Sequence, residues 1–228
     1  MKKKLLITTA AIFLIQYAGW GQTETRNVDP FTAISMGVAG DLFITQGNRL
    51  SVVVEGDRDD LEDLITEVRN GKLQIRFERS GWNFNRDRIT IRVTAPEITE
   101  ISLGGSGKVI SENTLEADHL ELSVSGSGRM ELRIEADELE TSISGSGNML
   151  LSGSADEVNL TISGSGSLDA EELNADSYNV QISGSGRSKI NVGDQLDARI
   201  SGSGSVYYTG NPDKVISNVS GSGKVRKL

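Results

Sequence analysis

The chain has 228 residues, no cysteine, a single histidine and a formal net charge of −9 from 23 basic and 32 acidic side chains. That composition excludes a disulfide framework, a thiolate or multi-histidine metal site and the cysteine-linked lipid anchor of exported bacterial proteins. The acidic excess opposes binding to nucleic acid or to anionic lipid.

Residues 1–21 begin with Lys2, Lys3 and Lys4, continue through an apolar run over 5–15, and end in Ala18-Gly-Trp-Gly before a polar stretch. This is the pattern of a secretory signal peptide cleaved after Gly21, and its apolar run is too short to span a bilayer. Cleavage leaves 207 residues with 20 basic and 32 acidic side chains, a charge near −12. The mature chain is expected to be exported to the periplasm or the cell surface, without a transmembrane segment or lipid anchor, and to form one continuous domain.

Residues 22–100 read as an irregular N-terminal β region. Phe31, Ile34, Val38, Leu42 and Ile44 sit in short runs punctuated by Gly37, Gly40 and Gly47, and residues 51–55 form a β-branched strand. The spacing predicts one helical turn over 59–64. A hairpin follows, with strands over 65–69 and 72–78 around Asn70-Gly71, the pair suited to a type I′ turn. A strand over 87–94, with Ile89, Ile91 and Val93 on its buried face, is ended by Pro96.

Residues 101–228 are organised by a returning tetrad: Gly-Gly-Ser-Gly at 104–107, then Ser-Gly-Ser-Gly at 125–128, 144–147, 163–166, 183–186, 201–204 and 220–223. The steps are 21, 19, 19, 20, 18 and 19 residues. A lone Ser-Gly run reads as a linker, but here alternating apolar residues lead into each tetrad, as in Leu120, Leu122 and Val124 or Val158, Leu160 and Ile162. A second short strand follows many tetrads, as in Met130, Leu132 and Ile134, before a polar return.

A unit of about 19 residues cannot bury its apolar face alone and must stack on copies of itself at roughly 4.8 Å per step. The predicted fold is all-β, a parallel β-helix or β-solenoid, with glycines at its corners and the less regular first third supplying early turns and a cap. The charged last strand, 224–228, reads as a gatekeeper at the other end.

A second ladder, Ala117-Asp118, Ala136-Asp137, Ala155-Asp156, Ala175-Asp176 and Gly193-Asp194, with Asp213 in the last turn, marks another corner. Aspartate there is foremost a turn former; a column of carboxylates could also take calcium. No other cofactor is implied. His119 stands beside Asp118 as a surface residue rather than a base. The tetrads lack the strand-to-helix turn and triad histidine of a nucleophile elbow and the lysine of a phosphate-binding loop.

One surface stretch is unusual. Arg79, Trp82, Phe84, Arg86 and Arg88 concentrate aromatics and arginines in a turn-rich connection, as a binding hot spot or sugar-stacking platform does. The plainer expectation is that Trp82 and Phe84 fold inward to seal the first turn.

The tetrads at steps near 19, the segments Phe31-Thr-Ala-Ile-Ser-Met-Gly-Val and Val52-Val-Val-Glu-Gly-Asp, and the hairpin Asn70-Gly-Lys-Leu-Gln-Ile resemble the putative auto-transporter adhesin head GIN domain family, secreted proteins common in Bacteroidetes. The resemblance runs from Phe31 to Asn211. It implies a right-handed parallel β-helix and no established reaction, so no catalytic or ligand residue is carried over. The expectation is a non-enzymatic exported envelope protein, an adhesin-like binding module or structural scaffold whose partner is a glycan or a cell-surface protein. The alternative is a polysaccharide-acting lyase or hydrolase on a β-helix.

Overall fold

The computed structural model describes residues 21–78 and 88–228. The signal segment, apart from Gly21, lies outside the described residues.

The repeats form long bent strands: β9 (Lys108–Gly126), β10 (Arg129–Gly145), β11 (Asn148–Gly164), β12 (Ser167–Gly184) and β13 (Arg187–Gly202). They are followed by β14 (Ser205–Thr209), β15 (Lys214–Gly221) and β16 (Lys224–Lys227). Each pairs in parallel with the equivalent stretch one repeat away. Burial in β10 shows why. Met130, Leu132, Ile134, Ala136, Leu139, Thr141 and Ile143 are buried while Arg129, Arg133, Glu135, Glu140 and Ser142 are exposed. A one-residue slip would bury the charged set, so the register is fixed by the alternation.

The sequence pattern predicts two strands and a polar return in each repeat. The structure instead keeps one ladder running almost from tetrad to tetrad, because successive coils bend at the same positions. Ala136 still pairs Ala155 across the bend, and only Asp137 and Asp156 drop out of register before Glu138 pairs Glu157. The second ladder departs from its expected alignment in one coil: Val192, not Gly193, stands opposite Ala175.

The corner tetrads use their two glycines differently. Gly145 takes φ +107, and a Cβ there would lie 2.8 Å from the carbonyl oxygen of Gly126 in the coil below, so side-chain residues are excluded by conformation and by space. Gly147 is excluded by packing, since its Cβ would fall 2.3 Å from a Val124 methyl. Between them the corner backbones bond coil to coil, with Ser146 N donating to Gly126 O (2.9 Å) and Asn148 N to Gly128 O (3.0 Å).

The first third is β1 (Gln22–Arg26), β2 (Ala33–Met36), β3 (Gly40–Gln46), β4 (Ser51–Gly56), α1 (Arg58–Asp63), β5 (Leu64–Arg69), β6 (Lys72–Phe77), β7 (Ile89–Ala95) and β8 (Glu100–Gly105). The helical turn and the hairpin fall where predicted, and Asn70 and Gly71 both take positive φ. Spatial order differs from chain order. β2 and β3 form a coil held between later segments: β6 and β7 pair them on one side, β8 and β9 on the other, all in parallel. β4, β1 and β5 then add antiparallel strands beyond β7 and β6.

This cap closes the column. α1 connects β4 to β5 and buries Leu61 completely. Its first turn is held by Asp57, whose carboxylate accepts from Asp59 N (3.0 Å). Arg26 of β1 donates to Leu61 O (2.7 Å). The cap is tied to the repeats at a bulge in β9, where Glu112 accepts from Thr45 (2.8 Å) and Arg92 (3.0 Å). Asn113 exchanges two hydrogen bonds with the Gln46 backbone, at 2.9 and 2.8 Å.

Two polar residues are buried among the described ones, Thr141 and Ser188. Thr141 donates to Asn159 O; the Ser188 hydroxyl has no hydrogen-bond partner among the described residues, and in register it stands between Leu168 and Val206. A buried, unpaired hydroxyl costs about 1–3 kcal/mol. Replacing Ser188 with Ala is therefore expected to raise stability by about 1 kcal/mol, read as a higher urea midpoint at unchanged slope.

Candidate binding face

Parallel stacking turns each outward position into a column of side chains one coil apart. Two such columns flank the approach to the serine corner. Thr161, Gln181, Arg199 and Asn218 form one; Ser163, Ser183, Ser201 and Ser220 form the other. All eight are exposed, and between the columns lie the buried Ile162, Ile182 and Ile200 and then Val219. Together they line an open trough of about 600 Å³ along the column axis. Arg199 is held in it by Asp197 (2.7 Å).

The chemistry of the trough is that of repeated neutral hydrogen bonding. Hydroxyls and amides donate and accept, the single guanidinium has its own carboxylate, and the walls contribute no nucleophile paired with a base. The sequence pattern shows the serines as part of each tetrad but gives the other column no shared residue type. The signal was available: these residues occupy the outward position two before the first serine of each tetrad.

The predicted hot spot is placed only in part. Arg79, Trp82, Phe84 and Arg86 lie outside the described residues. Arg88, at the approach to β7, grips Asp41 through Nε and Nη2, both at 2.7 Å, and these bonds raise the pKa of its guanidinium. Beside it Arg92 lies over the Phe43 ring, 4.6 Å from its centroid. This face therefore presents cations already engaged by a carboxylate or a ring.

Elsewhere basic and acidic residues interlock between coils. Lys108 and Arg129 both reach Glu131, each at 2.7 Å, and the Lys108 hydrogen bond holds the Glu131 carboxyl below its ordinary pKa. Lys189 bonds Glu171 at 2.7 Å, which raises the pKa of its ammonium. His119 sits 3.3 Å from Glu138 on the surface.

Asp118, Asp137 and Asp156, with Glu116 and Glu135, line a shallow depression at the second corner. Among the described residues, no group of three or more His, Asp or Glu side chains is arranged to hold a metal ion. Nor, among them, is any helix long and apolar enough to cross a membrane.

Residues 30–212 match the family described as "Putative auto-transporter adhesin, head GIN domain". No curated protein matches the chain. Among solved structures it is similar to a putative adhesin from Bacteroides fragilis NCTC 9343, at 25% identity and TM-score 0.87 over 91% of this chain and 97% of that one. A putative adhesin from Parabacteroides distasonis ATCC 8503 shares the fold at 20% identity and TM-score 0.80, covering 92% and 98% of the two chains. A putative lipid binding protein from the same organism does so at 24% identity and TM-score 0.76, also covering 92% and 98%.

Proposed function

Because the chain belongs to the putative auto-transporter adhesin head GIN domain family, we propose that this adhesin-like β-solenoid is an exported, non-enzymatic binding module of the cell envelope. In this reading it holds a linear, hydroxyl-rich glycan along its axis. The observation that carries the reading is the trough of about 600 Å³ between the Thr161–Gln181–Arg199–Asn218 and Ser163–Ser183–Ser201–Ser220 columns. A wall whose donors and acceptors recur once per coil suits a ligand that also repeats. Its exposed hydroxyl and amide side chains bond the hydroxyls of successive sugars. The signal segment over 1–21 and the acidic mature chain support export.

The test is retention on immobilised envelope polysaccharides. Gln181→Ala combined with Ser201→Ala changes only exposed side chains and is expected to weaken retention roughly tenfold, about 1.4 kcal/mol, with unchanged thermal unfolding. Equal retention by the variant would remove the trough from the reading. Trp82 and Phe84 are proposed as a second contact. Changing both to Ala should lower retention and leave the β-rich circular dichroism intact, whereas loss of that signal would assign them to cap packing.

A further inference from the structure

The two ends of the column are unlike. At the cap end, α1 closes the core with Leu61, and the edge strand β1 turns Glu24 and Arg26 to the half-buried side, where they pair at 3.0 Å. Inward charges of this kind block edge-to-edge strand addition. At the other end, among the described residues, β15 pairs only with β13 and β16 only with β14. No described strand covers their outer edges, and Val215 and Val219, which continue buried apolar columns, are 42% and 40% exposed.

The charge at this end is also unbalanced. Inner coils pair several of their cations with carboxylates of a neighbouring coil, as Lys108 with Glu131 and Lys189 with Glu171. Among the described residues Lys214, Lys224 and Arg226 have no carboxylate partner. Lys224 instead lies over the Tyr207 ring, and Lys227 bonds Asn211. A protein with 32 acidic and 23 basic side chains thus gathers at this strand edge cations that, among the described residues, have no carboxylate partner.

We propose that this end is a docking site for an extended acidic segment of a partner protein, which adds the next coil by parallel strand pairing. The column registers specify that segment. It carries a carboxylate over Lys214, in the column that holds Glu138, Glu157, Ser177 and Gln195 in successive inner coils, because a carboxylate complements the Lys214 ammonium. An apolar residue lies over Val215, where they have Leu139 and Val158. A small or medium residue stands over Ser217, and a β-branched one over Val219, where they have Ile143 and Ile162. Further carboxylates follow over Lys224 and Arg226. Main-chain bonds supply affinity in such strand addition, and the alternating side chains supply specificity. A second copy of this chain docking by the same end would set these cations against each other, which disfavours it.

The probe is a fluorescent synthetic peptide with the sequence of residues 138–150 carrying Asn148→Glu and Leu150→Glu, titrated against the folded chain by anisotropy. Saturable binding is expected. It should weaken at least about tenfold for Val219→Lys and for the pair Lys224→Glu with Arg226→Glu, all at solvent-facing positions of the last coil, with thermal unfolding unchanged. A charge-reversed peptide, with every Glu replaced by Lys, should not bind. Absence of binding, equal binding of the charge-reversed peptide, or binding indifferent to Val219→Lys would each overturn the proposal. So would sedimentation showing that copies of the chain occupy this end themselves.

Discussion

Gly153→Ala is expected to destabilise the column by at least about 3 kcal/mol, or to prevent its folding. Gly153 lies outside the tetrads, in β11, at a position whose neighbours in register are Ile134 and Leu173. Its φ is +115, and a Cβ would fall 1.9 Å from the carbonyl oxygen of Ile134. That oxygen is backbone, held in the ladder of β10, so neither partner can withdraw without breaking pairing. Gly193→Ala is the matched control, since its φ is not positive and the atom nearest to an added methyl carbon would be 3.6 Å away. It should change stability by less than about 1 kcal/mol. Urea unfolding of the two variants separates strain from loss of glycine as such.

Tyr178→Ala should cost about 3–5 kcal/mol. Tyr178 is among the largest fully buried side chains, standing in register between Val158 and Leu196. Because Tyr178 stacks between side chains of both neighbouring coils, a cavity there removes contacts from the coil above and the coil below. Tyr178→Phe should cost less than about 1 kcal/mol, because the phenol makes only a long hydrogen bond, 3.4 Å, to Leu173 O. Burial drives the phenol's pKa upward. If the Phe variant were as unstable as the Ala variant, the hydrogen bond rather than the packing would hold this coil.

The contrast between these sites shows what the amino-acid pattern carries. The coil was legible because one stacking unit recurs along the chain. Period-two runs such as Leu120, Leu122 and Val124 specify the inward face, and each tetrad specifies the corner. Gly153 was not legible as essential, since nothing local distinguishes it from a loop glycine until Ile134 is placed beneath it. The cap was legible in its elements but not in its order. The pairing of β2 with β6 joins Ala33 to Lys72, and that of β3 with β7 joins Gly40 to Ile89; such contacts leave no periodic trace. The trough was half legible. Its serines stood out as punctuation, whereas Thr161, Gln181, Arg199 and Asn218 share no residue type and become a wall only when stacked.

The bare edge beside Val219 and the trough overlap at that residue, so the two proposed contacts meet at the same end of the column. They remain separable, because Gln181 lies two coils and Ser201 one coil before β15, and neither touches its free edge.

The most direct measurement of the central claim follows binding and turnover in one sample, by incubating the folded chain with envelope polysaccharides. Both retained glycan and newly formed reducing or unsaturated chain ends are then recorded. A binding module predicts saturable retention, weakened by Gln181→Ala with Ser201→Ala, and no new chain ends over time. Steady accumulation of chain ends that requires the folded protein would contradict it and make the column an enzyme.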